Sequence, residues 1–272
     1  MKLGIAKLGH IGSSFVDKLL DERAEREDLD VFCIGSGSKM DPCSSKEVIK
    51  KLFETNCDAY IVVSPNPSTP GSREALEKIE EIEEPIVIIG DVAGKEVRED
   101  LEKWGFGYIF VYGDALIGAR KEFLDPVEMA DFNSNVLKVL SLTGVFRKIV
   151  SETDRLIDSV KKDSNYLPKD ILEPNKIVSE EFENPYARAK ARASLEISQN
   201  VAILNQKACF KLDNRDEYLP LVVATHEMME KASELAKEAR EIEKTNDNVL
   251  RKPHDYDGGF LEKRELFEEF KK

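Results

Sequence analysis

The chain has 272 residues, 41% of them hydrophobic, with 40 Lys and Arg against 53 Asp and Glu and a formal charge of −13. That acidic excess argues against general nucleic-acid binding, since a phosphate backbone is gripped by surplus Lys and Arg, and any anionic ligand has to be met locally. No apolar run approaches the roughly 18 residues that cross a bilayer, no leader precedes the first apolar run, and four scattered cysteines suggest neither a disulfide framework nor a zinc site, so a soluble, cytoplasmic protein is expected.

Five short apolar runs, Leu3–Ala6, Val31–Ile34, Ala59–Val63, Ile86–Ile89 and Tyr108–Val111, each stop at a loop rich in Gly, Asp, Ser or Pro. Between them lie segments of helical periodicity over Phe15–Arg26, Ser45–Glu54, Arg73–Glu81 and Lys95–Lys103. This alternation predicts an α/β domain over 1–124, a doubly wound, mostly parallel sheet of about five or more strands. Ligands of such sheets bind outside the carboxyl ends of the strands.

From Asp125 the rhythm changes to long helices. Asp125 before Pro126, with Glu128 three positions after the Asp, combines an N-cap, a proline at the first helical position and an acid of capping-box type, and predicts a helix to about Leu142. After Thr143-Gly144, Val145, Ile149, Leu156, Ile157 and Val160 continue an apolar face toward Lys162. Asn184-Pro185 repeats the cap before a helix over Tyr186–Leu204. The last helix is expected from about Leu219 to Thr245, with Leu221, Met228, Leu235 and Ile242 recurring every seventh residue, and Ala232 and Ala239 between them, as a packing stripe. A helical-bundle lobe over 125–245 follows, with 161–176 and a C-terminal segment over 246–272 expected to be irregular.

Candidate ligand groups gather at the strand ends. Gly9-His10-Ile11-Gly12 follows the first strand and opens the first helix, where backbone N–H groups and the helix dipole favour an anion. It departs from the dinucleotide fingerprint, because Lys7 and Ser14 stand where glycines belong. A generic anion-binding turn, a NAD site and a ligand-free turn all stay open. Pro65, Pro67 and Pro70 stiffen the loop Ser64–Ser72, either as one wall of a site for a flat heterocycle or as a rigid surface loop. Arg120, Lys121 and Glu122 suit a polar, anionic ligand or a solvated face. Asp131 and Asn135 share a helix face, toward an interlobe cleft or toward water. His226 and Glu230 lack the second His of a zinc-protease motif, so no metal is expected.

The blocks LLDERAEREDLD, KMDP, PNPSTPGS, IIGDVAGK, GYIFVYGDALIGARKEFLDPVEMADFN, VLSLTGVFR, EEFENPYARAKARASLEISQNVA and THEMMEKASELAKEAREIEKTNDNVLRKPH, distributed over nearly the whole chain, resemble the coenzyme F-420-dependent methylenetetrahydromethanopterin dehydrogenases of methanogenic archaea. The resemblance implies reversible hydride transfer between methylenetetrahydromethanopterin and C5 of coenzyme F-420, an 8-hydroxy-5-deazaflavin, in methane formation from carbon dioxide. It implies a dissociable cosubstrate, no metal or bound flavin, and a homohexamer. Under that resemblance, strand-end position makes Gly9, Gly12, Ser13, Ser36, Ser38, Met40, Pro65, Asn66, Pro67, Asp91 and Gly94 candidates for coenzyme F-420. Arg120, Lys121 and Glu122, with Asp131 and Asn135, become candidates for the pterin. No residue is assigned acid or base catalysis. Without the resemblance, a non-enzymatic phosphate- or nucleotide-binding oligomeric module and a NAD(P)-linked reductase remain alternatives.

Overall fold

A computed structural model describes residues 1–9, 16–17, 25–37, 39–113, 123 and 125–271. The chain is an α/β protein of two compact units interleaved in sequence. The first comprises Met1–Val111, Ile149–Ile171 and Pro253–Leu261, and the second Tyr112–Lys148, Leu172–Lys252 and Glu262–Lys272.

The first unit is built on β1 (Lys2–Lys7), β2 (Asp30–Gly35), β3 (Ala59–Ser64), β4 (Ile86–Asp91) and β5 (Gly107–Val111), in which all neighbouring pairs are parallel. With β6 (Lys169–Leu172) beside β5, the order across the sheet is β2-β1-β3-β4-β5-β6. Each of the five expected runs is a strand, longer than its apolar stretch by one or two residues. β3, β4 and β5 are buried at every position, which is why they read as unbroken runs of Val, Ile, Tyr and Phe rather than as alternating patterns. β2 forms an edge and exposes most of its length.

Helices α1 (Pro42–Phe53) and α2 (Pro70–Glu77) start on prolines that sit where a backbone N–H would lack a partner. The segment expected as one helix over Lys95–Lys103 is a 3-10 turn, Val92–Val97, followed by α3 (Arg98–Lys103). The core joins Leu8, Leu52, Tyr60, Val62, Leu76, Ile88, Leu101 and Phe110.

In the second unit, α4 (Pro126–Leu142) has the bounds its cap dictates, with Asp125 accepting from the N–H groups of Val127 and Glu128. α5 (Val145–Lys161) starts in this unit. β6 lies within the stretch over 161–176 expected to be irregular, and α6 (Pro174–Glu181) begins at its end. β6 is only four residues long, and Lys-Asp-Ile-Leu carries no alternation. α7 (Pro185–Phe210) and α8 (Arg215–Thr245) run antiparallel, as the pairs Lys190–Glu238, Ser194–Ala232 and Asn205–Thr225 show. α8 begins before Leu219 because Asn214 caps it by accepting from the N–H of Asp216, leaving Pro220 in the second turn.

The large residues of the expected α8 stripe lie one position away from the buried seam, while Ala232 and Ala239, expected between them, lie in it. Val222, Met229, Ala236 and Glu243, with Thr225, Ala232 and Ala239, face α7, while Leu221, Met228, Leu235 and Ile242 sit half-buried on the flank. α7 presents Ala187, Ala191, Ser194, Ser198 and Ala202, and small residues on both helices let the two backbones approach closely. Volume therefore goes to the flank and contact goes to alanine.

Candidate active site

β1 lies between β2 and β3, so the winding of the sheet reverses there, and the loops that follow these strands meet at the position where doubly wound sheets hold ligands. Gly9 closes β1 with φ +84°, a conformation that glycine tolerates, and its N–H donates to Ser36 Oγ at 3.1 Å. Ser36 Oγ donates in turn to Lys39 O at 2.6 Å, and the N–H of Ser36 donates to Lys7 O at 3.0 Å. The first two loops are thereby one hydrogen-bonded rim. The Met40 thioether lies over Gly9, since a Cβ on Gly9 would fall 2.7 Å from Sδ. Lys7, the last residue of β1, pairs with Asp17 at 2.7 Å.

The third loop is determined by its own side chains. Asn66 Oδ1 accepts from the N–H of Ser68 at 2.9 Å and from its hydroxyl at 2.6 Å. Thr69 Oγ1 donates to Asn66 O at 2.9 Å, and Ser64 and Ser72 share a buried hydroxyl contact at 2.8 Å. With Oδ1 doubly occupied, the Asn66 amide cannot flip, and its NH₂ group has no partner among the described residues. Two donors are thus held in a fixed direction at the end of β3. The N–H of Asp91 donates to Pro65 O at 3.2 Å, which ties the third loop to the fourth. Pro67 packs on Gly90, and Gly71 approaches the Met40–Asp41 backbone so closely that a Cβ would fall 2.0 Å from Met40 O. Gly94 is buried against Phe110, where its small size serves packing on β5.

Gly12, Ser13, Ser38, Arg120, Lys121 and Glu122 lie outside the described residues. The rim therefore brings together Gly9, Ser36, Met40, Pro65, Asn66, Pro67 and Asp91. In the second unit, Asn135 is 4% exposed. Its Oδ1 accepts from Ser233 Oγ at 2.9 Å and from Lys138 Nζ at 3.2 Å, and its amide donates to Asp131 at 3.2 Å. Asp131 is exposed, so of this pair the carboxylate faces outward and the amide orients it. His226 packs against the rings of Phe123 and Phe132, with centroids 4.7 and 4.4 Å away, and among the described residues no group of His, Cys, Asp and Glu forms a metal ligand set.

A stiff rim with one pre-oriented pair of donors and an apolar thioether suits a flat heterocycle that has carbonyl oxygens at one edge. The described residues thus fit a deazaflavin.

The sequence profile of the methylene-5,6,7,8-tetrahydromethanopterin dehydrogenase family matches residues 1–271. The chain belongs to this family. It is 47% identical to the F-420-dependent methylenetetrahydromethanopterin dehydrogenase of Methanopyrus kandleri over 97% of this chain and 96% of that one. It is 45% identical to the enzyme of the same name from Methanothermobacter thermautotrophicus, over 98% of each. A solved structure of F-420-dependent methylene-tetrahydromethanopterin dehydrogenase, in complex with methylene-tetrahydromethanopterin and coenzyme F-420, superposes with a TM-score of 0.95 at 45% identity and 99% coverage of both chains.

If Asn66 holds the coenzyme, Asn66→Ala raises the KM for coenzyme F-420 up to about tenfold, the value of one neutral hydrogen bond, and changes kcat little. Steady-state kinetics with the pterin saturating measure this. An unchanged KM removes Asn66 from the site.

Proposed function

We propose that the chain catalyses reversible hydride transfer between the methylene bridge of 5,10-methylenetetrahydromethanopterin and C5 of coenzyme F-420, in methanogenesis from carbon dioxide. The observation that carries this reading is the end-to-end match, at 45% identity, to a solved complex holding both molecules. In the forward direction the methylene C–H bond breaks with its electron pair, and a C–H bond forms at C5. The pterin is left as the methenyl cation, its charge shared by the two flanking nitrogens, and the reduced deazaflavin takes up one proton from solvent.

When bound, the deazaflavin supplies a two-electron acceptor. The protein's part is to align two rings, exclude water and set charges, because the pterin nitrogens already stabilise the cation. Asn66 donates to the pyrimidine edge of the coenzyme, Met40 and Pro65 flank its ring, and the Gly9–Ser36 rim fixes its depth. On the pterin side, Asp131 places a carboxylate that favours the cation, and Asn135 acts as a positioning residue for Asp131. Arg120, Lys121 and Glu122 complete the pterin contacts in this reading.

No helix among the described residues is long and apolar enough to cross a membrane, and the proposed setting is the cytoplasm. Self-association as a homohexamer belongs to the same reading. The exposed Tyr186, Ile203 and Phe210 of α7 are apolar surface that such an assembly would cover. The test is loss of the deazaflavin's visible absorbance on mixing enzyme, coenzyme and methylene pterin. The proposal fails if the band persists, or if NAD or NADP is reduced equally well.

A further inference from the structure

Gly9 follows β1 at the position where a dinucleotide fold has the glycine that lets its backbone approach a pyrophosphate. A side chain there would collide with the phosphates, so the Cβ direction of that glycine marks where they lie, and its N–H helps to hold them. Neither feature is open in this chain. Gly9 is buried, and a Cβ on it would fall 2.7 Å from Met40 Sδ, 2.8 Å from Met40 Cγ and 3.4 Å from Pro65 Cδ. The thioether therefore fills the space a pyrophosphate needs. The N–H of Gly9 is committed to Ser36 Oγ at 3.1 Å.

Met40 is fixed in that place from both sides. Before it, Ser36 Oγ donates to Lys39 O at 2.6 Å; after it, Asp41 caps α1 by accepting from the N–H of Ser44 at 3.0 Å, and Gly71 packs directly on Met40 O. The ribose of a dinucleotide is no better served. The acid at the usual spacing, Asp30, is the first residue of β2, roughly 16 Å along a six-residue strand from the end that faces the crevice. At that end stand Gly35 and Ser36, and the Ser36 hydroxyl is already engaged by Gly9 and Lys39.

We infer that Met40 is the specificity-determining residue of the crevice, admitting a deazaflavin and refusing a nicotinamide dinucleotide. A dinucleotide has to lay its pyrophosphate on Gly9, whereas a coenzyme held by its ring edge at Asn66 does not. The inference rests on the hydride-transfer reading for the identity of the crevice, and adds what the crevice excludes and by which side chain.

The test is binding of NADH to the full chain, followed by the polarisation and enhancement of NADH fluorescence, with thermal melting of every variant. Wild type binds NADH weakly or not at all. M40A, which uncovers Gly9, binds it about tenfold or more tighter, and M40A/S36A, which also frees the N–H, binds it tighter still. M40L keeps the bulk without the sulfur and excludes NADH as wild type does, and S36A alone also excludes it because the cover remains. M40V, which also withdraws the sulfur from Gly9, carries the same expectation as M40A if that variant does not fold. Wild-type affinity in folded M40A or M40V, NADH binding by wild type as tight as by M40A, or equal admission of NADH by M40L overturns the assignment. Because no turnover is measured, these results are independent of whether wild type bleaches the deazaflavin band, so a failure of the hydride-transfer reading is told apart from a failure of this one.

Discussion

Gly71→Ala raises the KM for coenzyme F-420 by about tenfold or more and lowers stability by about 1–3 kcal/mol. The added methyl would lie 2.0 Å from Met40 O and 2.9 Å from the carbonyl carbons of Met40 and Asp41. All three are backbone atoms, so no rotamer change relieves the overlap. The chain at Met40–Asp41 has to move, and that movement pulls the Met40 thioether away from Gly9 and disturbs the cap through which Asp41 accepts from the N–H of Ser44. Binding and folding therefore suffer together. Trimming Met40 to Ala in the same background does not restore either, because the obstacle is the carbonyl and not the side chain. Kinetics and thermal melting of G71A measure the effect, and a wild-type KM contradicts the proposed rim.

Arg26→Met costs about 3–5 kcal/mol of stability at neutral pH, the range for removing one partner of a buried ion pair. The Arg26 side chain is 3% exposed and donates to Asp28 at 2.8 and 2.7 Å and to Asp154 at 2.9 Å. Lys161 also pairs with Asp28, and His254 meets Asp154 at 2.8 Å, so the network joins three separate stretches of the first unit. Gly258 packs on the guanidinium, since a Cβ there would lie 2.4 Å from Arg26 Nη2.

The pH dependence has a definite sign. The hydrogen bond from Arg26 holds the Asp28 carboxyl far below the usual carboxylate range, against the opposing effect of burial. A depressed folded pKa stabilises above the unfolded value of about 3.9, and that contribution is lost as pH falls through the folded value. The stability gap between wild type and R26M therefore narrows on acidification below about pH 4. Denaturant unfolding at pH 7 and pH 3 checks it, and a gap under about 1 kcal/mol at pH 7, or one that does not narrow, contradicts the account.

Local chemistry explains what the sequence reveals and what it conceals. Asp125-Pro126 marks α4 to the residue because cap and proline act over four positions. β3, β4 and β5 are legible because strands buried on both faces need unbroken apolar runs. The large residues of the α8 stripe are misplaced by one position because a rule that follows large side chains passes over Val222, Met229 and Ala236, whereas Ala232 and Ala239, read between them, do lie in the buried seam. Arg26, Asp154 and His254 are 128 and 100 residues apart along the chain, and no periodicity joins them. At the rim, proline and glycine spacing marks the strand-end loops, but the fixed direction of the Asn66 amide depends on Ser68 capturing its oxygen, a contact that spacing along the chain does not reveal.

The most direct test of hydride transfer uses methylenetetrahydromethanopterin deuterated at the methylene carbon, mixed with the enzyme and coenzyme F-420 in ordinary water. The account predicts one deuterium at C5 of the reduced deazaflavin, appearing as the visible band is lost. Reduced deazaflavin carrying only solvent hydrogen at C5, or deuterium released to water, would contradict it.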